Sequence, residues 1–251
     1  LPLPMPRPIH KVLIANRGEI ACRIARTCHA LGIGTVAVYS EPDRLGLHVL
    51  TCREAVAIGP GPASESYLVP DKLLAAARSS GADSIHPGYG FLSENAEFAA
   101  AVAAAGLVFV GPPAASIDAM GDKARARQRM AAAGIAVVPG YDGDDQDPTI
   151  LQHEADRIGY PVMVKAAAGG GGRGMRLVQS APDLPDALRS AAAEAAKSFG
   201  DGRLILERAV VEPRHVEIQV FADSHGNVPH LRGRDCSGHR RRQQVIEESP
   251  S

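Results

Sequence analysis

The stretch "VMVKAAAGGGGRGMRLV", residues 162–178, holds four consecutive glycines and a fifth after an arginine, between two apolar runs. The apolar runs predict strands at 161–165 and 175–178, so the glycine loop joins strand to strand. A P-loop would join a strand to a helix and end in Gly-Lys-Ser/Thr, and neither condition is met. Glycines let successive backbone N–H groups converge on one oxygen-rich ligand. With Lys165 at its edge, the loop is therefore predicted to be a nucleotide flap rather than a flexible linker.

Two segments downstream of the loop support a nucleotide site between hairpins. "RLILERAVV" (203–211) predicts a buried strand that ends near Glu207, an arrangement expected where the backbone of 207–210 meets an adenine edge. "RHVEIQVFADSHGN" (214–227) alternates strictly between apolar and polar residues, which predicts a strand with one face in the core. The side chains expected to face the core are Val216, Ile218 and Val220, and those expected on the opposite face are His215, Glu217 and Gln219.

Upstream of the loop, strands alternate with helices, which predicts βαβ units and a parallel sheet. The predicted strands are 11–16, 35–40, 55–59, 83–88 and 107–111, and the predicted helices are 19–32, 69–81, 93–106 and 120–134, with a further helix at 180–200 after the loop. Ser93 is expected at the N-terminus of its helix. The turn "ANRGEIA" (15–21) has one glycine where a dinucleotide fingerprint needs three, so NAD binding there is not expected.

Composition excludes several classes of function. The 251-residue chain carries a formal net charge of -1, so no overall field draws it to nucleic acid or to an anionic membrane. Its four cysteines form no CxxC pair, which favours a reduced cytoplasmic location over a zinc site or a secreted disulfide framework. Residues 1–8 lack the pattern of a signal peptide and are expected to be a disordered tail. The longest apolar run is too short to span a bilayer.

Six segments together resemble one family. They are "KVLIANRGEIACRIAR", "HPGYGFLSENAEFA", "FVGPPAASIDAMGDKARAR", "GYPVMVKAAAGGGGRGM", "ERAVVEPRHVEIQVFAD" and "RDCSGHRRRQQVIEESPS". They are similar to the biotin carboxylase component of acetyl-CoA and propionyl-CoA carboxylases, an ATP-grasp ligase. The resemblance implies an α/β fold in which a Rossmann-like parallel-sheet pre-ATP-grasp domain (9–120) precedes an incomplete ATP-grasp domain (121–251). A glycine-rich β-hairpin lid is expected at about 140–210.

The resemblance also implies a reaction and a set of binding residues. MgATP would phosphorylate bicarbonate to carboxyphosphate, which would then carboxylate biotin tethered to a carrier protein. Lys123 and Lys165 would contact the ATP phosphates, while Gly171 and Gly172 would donate backbone N–H groups from the flap. The remaining implied nucleotide contacts are the backbone of Glu207, Arg208, Ala209 and Val210 at the adenine and the side chain of His215 at the ribose and phosphates.

The chain departs from the family pattern in two places. Ala168 stands where the family opens the loop with glycine, and Gly233, His239, Arg242 and Gln244 stand where it usually has glutamate, glutamine, histidine and lysine. Gln244 thus replaces the lysine thought to hold bicarbonate, and Arg242 could compensate in part through a two-pronged contact. Cys236, His239, Arg242 and Gln244 form the implied catalytic set. Cys236 fits a small buried hydrophobe as well as it fits a catalytic thiol.

The resemblance places the metal ligands, and the residues that complete the bicarbonate and biotin site, beyond residue 251. The biotinylation motif Met-Lys-Met is absent, so biotin is expected on a separate carrier, with a carboxyltransferase as a further partner and a homodimer as the assembly. Negligible bicarbonate-dependent turnover is expected from this chain alone. Two alternatives remain open: a noncatalytic module or gene remnant that pairs with full-length carboxylase subunits, and another ATP-grasp ligase of the carbamoyl phosphate synthetase type.

Overall fold

The computed structural model describes residues 8–168, 175–223, 225–240 and 243–251, with the side chains of 239, 240, 243 and 244 outside that description. Residues 1–7 of the expected tail therefore lie outside the described residues. The chain divides into two units, Leu1–Asp118 and Ala119–Ser251. Within the described part of the chain, no helix combines the length and the apolar character needed to cross a membrane.

The first unit is built on the predicted parallel sheet, which is confirmed. Its strands are β1 (Lys11–Ile14), β2 (Gly34–Ser40), β3 (Glu54–Gly59), β4 (Ser84–His86) and β5 (Val108–Phe109). They lie in the order β3-β2-β1-β4-β5, and every pair is parallel. The helices are α1 (Gly18–Ala30), α2 (Leu47–Thr51), α3 (Pro70–Ser80) and α4 (Ala96–Ala104), with α5 (Ala114–Gly121) crossing into the second unit.

The central strands are apolar along their whole length because both faces of the sheet are covered. One face packs Leu13, Val36, Val38 and Ile85 with Leu73 of α3 and Phe98 of α4. The other packs Val12 and Ile14 against Ile20, Ile24 and Cys28 of α1. Two separate hydrophobic clusters therefore bracket one sheet.

The carboxyl ends of β1 and β4 meet at the point where the strand order reverses, the usual ligand crevice of such sheets. Here the amide of Asn16 links the two strand ends, since its Nδ2 donates to the carbonyls of Pro87 (2.9 Å) and Tyr89 (2.8 Å). Gly88 has φ of 66° and lies so close that an added Cβ would stand 2.8 Å from Asn16 Nδ2. Asn16 therefore ties the loop after β4 to the end of β1.

Asp43 joins three neighbours beside this edge. Its Oδ2 accepts hydrogen bonds from Arg17 Nη1 (2.9 Å), Ser40 Oγ (2.9 Å) and Tyr67 Oη (2.8 Å). Burial opposes the charge, but these hydrogen bonds prevail and lower the pKa of Asp43 below its ordinary value. Burial likewise raises the pKa of Tyr67 to about 12. The ionised carboxylate therefore contributes to the stability of this unit.

Replacing Asp43 with asparagine is expected to reduce the free energy of unfolding at pH 7 by about 1–2 kcal/mol, because hydrogen bonds to a charged acceptor are lost. Since the folded state lowers the pKa of Asp43, its contribution is complete above the ordinary aspartate pKa and disappears as the pH falls through the lowered value. Urea unfolding at pH 7 and at acid pH should show the two proteins converge on acidification. The exposed Asp144→Asn variant is the control. Parallel pH profiles for wild type and Asp43→Asn would contradict the prediction.

Two helix boundaries differ from the sequence predictions. The predicted helix start at Ser93 is wrong, since α4 begins at Ala96. Asn95 precedes the helix in an extended backbone conformation, and its side chain accepts a hydrogen bond from Phe98 N. The helix predicted at 120–134 is α6 (Lys123–Ala132), and a separate helix that was not predicted, α5, ends just before it. Asp122 separates them with an extended backbone and accepts a hydrogen bond from Arg125 N at the start of α6.

The second unit contains an antiparallel four-stranded sheet. Its strands are β6 (Gly140–Tyr141), β7 (Val162–Ala166), β8 (Arg176–Val178) and β9 (Leu204–Arg208), in the order β6-β9-β7-β8. Helices α7 (Pro148–Ile158) and α8 (Leu184–Phe199) supply Leu151, Ala155, Leu184 and Leu188 to the core on one face of this sheet. The opposite face of the four-stranded sheet packs against α6 and carries the candidate site.

A three-stranded antiparallel sheet completes the unit. Its strands are β10 (Val216–Val220), β11 (His230–Arg240) and β12 (Gln243–Glu248). The predicted alternation of β10 is present, but the expected burial is wrong: Val216, Ile218 and Val220 are 43%, 54% and 52% exposed. Alternation shows that the two faces of a strand differ, whereas only packing decides which face is covered. In the described residues it is the polar face that is half-buried.

Candidate nucleotide-binding site

One face of the four-stranded sheet gathers the polar residues predicted from the sequence. Along β7, Val162, Val164 and Ala166 point into the core, so Met163 and Lys165 lie on the other face. The register pairs Met163 with Glu207 and Lys165 with Ile205 of β9. Lys165 and Glu207 are therefore diagonal neighbours on one face, close enough for long side chains to meet.

Helix α6 brings the second lysine to this face. Lys123 N donates to Ala167 O at 3.1 Å, and its Nζ lies 3.4 Å from Ala166 O. The next residue, Ala124, packs against Ala167 and Ile205. The two lysines predicted to contact phosphate thus flank the same end of β7, where the chain enters the glycine loop.

The beginning of α6 is held by a network of charges. Arg203 Nη2 donates to Asp122 Oδ2 at 2.9 Å and to Asp201 Oδ2 at 2.8 Å. Burial raises the pKa of Asp122, but the hydrogen bonds from the Arg125 amide and from Arg203 outweigh burial and lower it overall. The same two carboxylates raise the pKa of Arg203. A rigid helix start next to the loop keeps Lys123 close to the strand end.

Glu207 carries the negative charge of the site and is shared by two cations. Its Oε2 pairs with Lys165 Nζ, and its Oε1 lies 3.3 Å from Arg127 Nη1. Arg127 also donates to Asp142 Oδ2 at 3.0 Å and to Val138 O at 2.7 Å. Sequence reasoning missed Arg127, although its i,i+4 spacing from Lys123 was a signal that both occupy one side of α6.

The loop itself joins two paired strands, as predicted. Val162 pairs with Val178, and Val164 pairs with Arg176, in an antiparallel ladder. The predicted N–H donors Gly171 and Gly172 lie outside the described residues, so the loop's contacts with a ligand stay a prediction.

The segment predicted to hold adenine uses part of its backbone inside the fold. Arg208 N donates to Pro139 O at 2.8 Å, and Ala209 N donates to Pro161 O at 2.9 Å. These amides are unable to donate to a base at the same time. A purine bound at this segment would form its hydrogen bonds with the backbone carbonyl oxygens and with the remaining backbone amides, including that of the exposed Val210.

The remaining predicted residues lie on the three-stranded sheet. His215 precedes β10, with Nε2 3.2 Å from Glu217 Oε1, and its carbonyl accepts a hydrogen bond from Cys236 N. Cys236 is fully buried, with Sγ 3.9 Å from Arg234 O. The backbones of His239 and Gln244 pair across β11 and β12, but their side chains, and all of Arg242, lie outside the described residues.

Metal ligands were sought among the same residues. Across 8–168, 175–223, 225–240 and 243–251, no three side chains of His, Cys, Asp or Glu are grouped so that they could hold a metal ion. The described side chains therefore do not by themselves form a magnesium site. What the site offers is a cationic face of Lys123, Arg127 and Lys165 beside two carboxylates, Glu207 and Asp142, and the ammonium groups of this face suit a phosphate ester.

Comparison with known proteins agrees with this geometry. Residues 8–117 match the family model of the biotin carboxylase N-terminal domain, and residues 122–251 match that of the carbamoyl-phosphate synthase L chain ATP-binding domain. The chain is 54% identical over 245 residues to the mitochondrial methylcrotonoyl-CoA carboxylase subunit alpha of Dictyostelium discoideum, covering 98% of this chain and 35% of that protein. It is 52% identical over 242 residues to the propionyl-CoA carboxylase alpha chain of Ruegeria pomeroyi, covering 96% and 36%.

Solved structures give the same result. The biotin carboxylase of Campylobacter jejuni in complex with β,γ-ATP superposes with a TM-score of 0.94 at 47% identity, over 97% of this chain and 55% of that one. The biotin carboxylase domain dimer of Hydrogenobacter thermophilus 2-oxoglutarate carboxylase, bound to MgADP, ADP and bicarbonate, gives 0.93 at 47% identity, over 97% and 53%. The chain spans about a third of the curated relatives and about half of these structures. It therefore belongs to the biotin carboxylase family, whose N-terminal and ATP-binding domains it carries.

Proposed function

We propose that this chain binds the polyphosphate of ATP with Lys123 and Lys165 of the cationic face, as the nucleotide-binding part of a biotin carboxylase. The observation that carries the proposal is the convergence of Lys123 and Lys165 on the C-terminal end of β7, where the glycine loop begins. Both ammonium groups come from regular elements rather than loops, so their positions are set before a ligand arrives.

The residues have separate tasks in this proposal. The two lysines neutralise phosphate oxygens, and positive charge next to the transferring phosphoryl group stabilises the transition state. The flap excludes water from the phosphates when it closes, which limits hydrolysis of an acyl phosphate. The acceptor is bicarbonate, whose oxygen takes the γ-phosphoryl group with departure of ADP, and the resulting carboxyphosphate gives up its carboxyl group to biotin with release of inorganic phosphate.

The proposed partners of this chain are those expected of a biotin carboxylase. Mg²⁺ would accompany the nucleotide, as it does in the Hydrogenobacter thermophilus complex. Biotin would be presented by a carrier protein or domain, and the carboxyl group would pass to a carboxyltransferase that selects the acyl-CoA. A homodimer is the proposed assembly, by analogy with the dimer of that neighbour.

Isothermal titration calorimetry of the purified chain with ATP, ADP and adenosine tests the proposal. We expect ATP and ADP to bind at least tenfold more tightly than adenosine, because the cationic face contacts phosphate rather than the nucleoside. Equal affinity for adenosine and ATP, or no binding of ATP at millimolar concentration, would refute it.

A further inference from the structure

We infer that Arg127 is a positioning residue for Lys165: by sharing the Glu207 carboxylate, it determines how readily Lys165 turns from Glu207 to a nucleotide's phosphates. The inference rests on the proposed binding of ATP. It adds a residue that lies outside the predicted set and that acts through Glu207, without contact with the ligand.

The geometry gives the three side chains unequal freedom. Glu207 and Arg127 are each only 14% exposed at their side chains, and Lys165 is 25% exposed. Arg127 is held from a second side by Asp142 Oδ2 at 3.0 Å and by Val138 O at 2.7 Å. Its guanidinium is therefore fixed, whereas Lys165 has a flexible stem and ends at the more open edge of the cluster.

Charge then decides what happens when a phosphate arrives. If Lys165 moves to the phosphate, Glu207 keeps Arg127 as a partner, so no buried carboxylate is left without a cation. In the absence of Arg127, the same movement would leave Glu207 unpaired in a largely buried position, which is strongly unfavourable. Loss of Arg127 should therefore tighten the pair between Glu207 and Lys165 and weaken binding of polyphosphate.

Backbone packing supports a dedicated place for this guanidinium. Gly140 pairs with Glu207 across β6 and β9, and a Cβ added at Gly140 would stand 3.0 Å from Arg127 Nη2. The strand next to Glu207 thus leaves space that the arginine occupies. Helix α6 carries Lys123 and Arg127 one turn apart, so one helix presents a phosphate ligand and the partner of the carboxylate.

The first test needs no nucleotide. Lysines of the folded chain are labelled with limiting acetic anhydride, and the acetylation rate of Lys165 is measured by mass spectrometry. We expect Lys165 to react about threefold or more slowly in Arg127→Met and faster in Glu207→Gln, because a tighter ion pair protects the amine. Arg127→Lys, which keeps the charge, should lie between. Arg129→Met, at an exposed position of the same helix, is the matched control.

The second test measures function by calorimetry. Arg127→Met should bind ATP about tenfold more weakly while adenosine affinity is unchanged, and Arg127→Met/Glu207→Gln should recover most of the loss, since a neutral amide no longer retains Lys165. Equal weakening of ATP and adenosine, no recovery in the double variant, or an unchanged labelling rate would overturn the inference. If the wild type fails to bind ATP, the proposed function is wrong, and the labelling rates still decide the role of Arg127.

Discussion

Lys165→Met is expected to weaken ATP binding by about 100-fold, a loss of about 2.8 kcal/mol, while the affinity for adenosine stays within about twofold. The ammonium lies at the end of β7 where the glycine loop begins, and in the nucleotide-free structure it pairs with Glu207. Methionine keeps the length and apolar stem of the side chain but removes the charge. Because Glu207 retains Arg127, the substitution leaves the carboxylate partnered, and the fold is expected to persist.

Calorimetric titration with ATP and adenosine measures this effect, with thermal unfolding as a check on the fold. Lys197→Met, at an exposed position near the end of α8, is the matched control and should bind ATP as the wild type does. Retention of wild-type ATP affinity in Lys165→Met would contradict the assignment of this lysine to phosphate. A parallel loss of adenosine binding would instead indicate a distorted site.

Gly140→Ala is expected to reduce the free energy of unfolding of the second unit by about 3 kcal/mol or more, because a new side chain would overlap backbone. A Cβ at Gly140 would collide with the carbonyl oxygen of Leu206 and lie 3.3 Å from Glu207 Cα. Strand β6 would have to separate from β9 to make room. Since Arg127 lies beside the same position, ATP binding should weaken together with stability.

Urea unfolding followed by circular dichroism gives the measurement. Gly121→Ala is the matched control, since a Cβ at the end of α5 would meet nothing within 4 Å, and it should change stability by less than about 0.5 kcal/mol. Equal midpoints for Gly140→Ala and wild type would show that β6 does not need this close approach.

The first unit was predictable because its signals are local. Continuous apolar runs separated by amphipathic helices specify a covered parallel sheet, and all five predicted strands are present. The start of α4 was less predictable, because Ser93 and Asn95 are both good N-cap residues two positions apart. Helix α5 was missed, since its eight residues are short and bury little besides Ile117.

The candidate site was predictable only in part. The glycine loop, Lys123 and Lys165 stand out because their residue types and positions directly indicate phosphate binding. Arg127 did not, because nothing near it in sequence shows that it meets Glu207, 80 residues later. The side chains of β10 show the same limit: their alternation was visible, while their exposure depends on what packs against them.

The sequence by itself determined the order of strands and helices, the antiparallel strands that flank a glycine loop, and the family, since each rests on residues that are close in the chain. Only the tertiary structure decided which face of β10 is exposed, how Asn16 links the ends of β1 and β4, and that Arg127, Glu207 and Lys165 form one cluster. The physical reason is that contacts between distant residues depend on strand register and helix packing. Both are set by the free energy of the whole unit rather than by any local pattern.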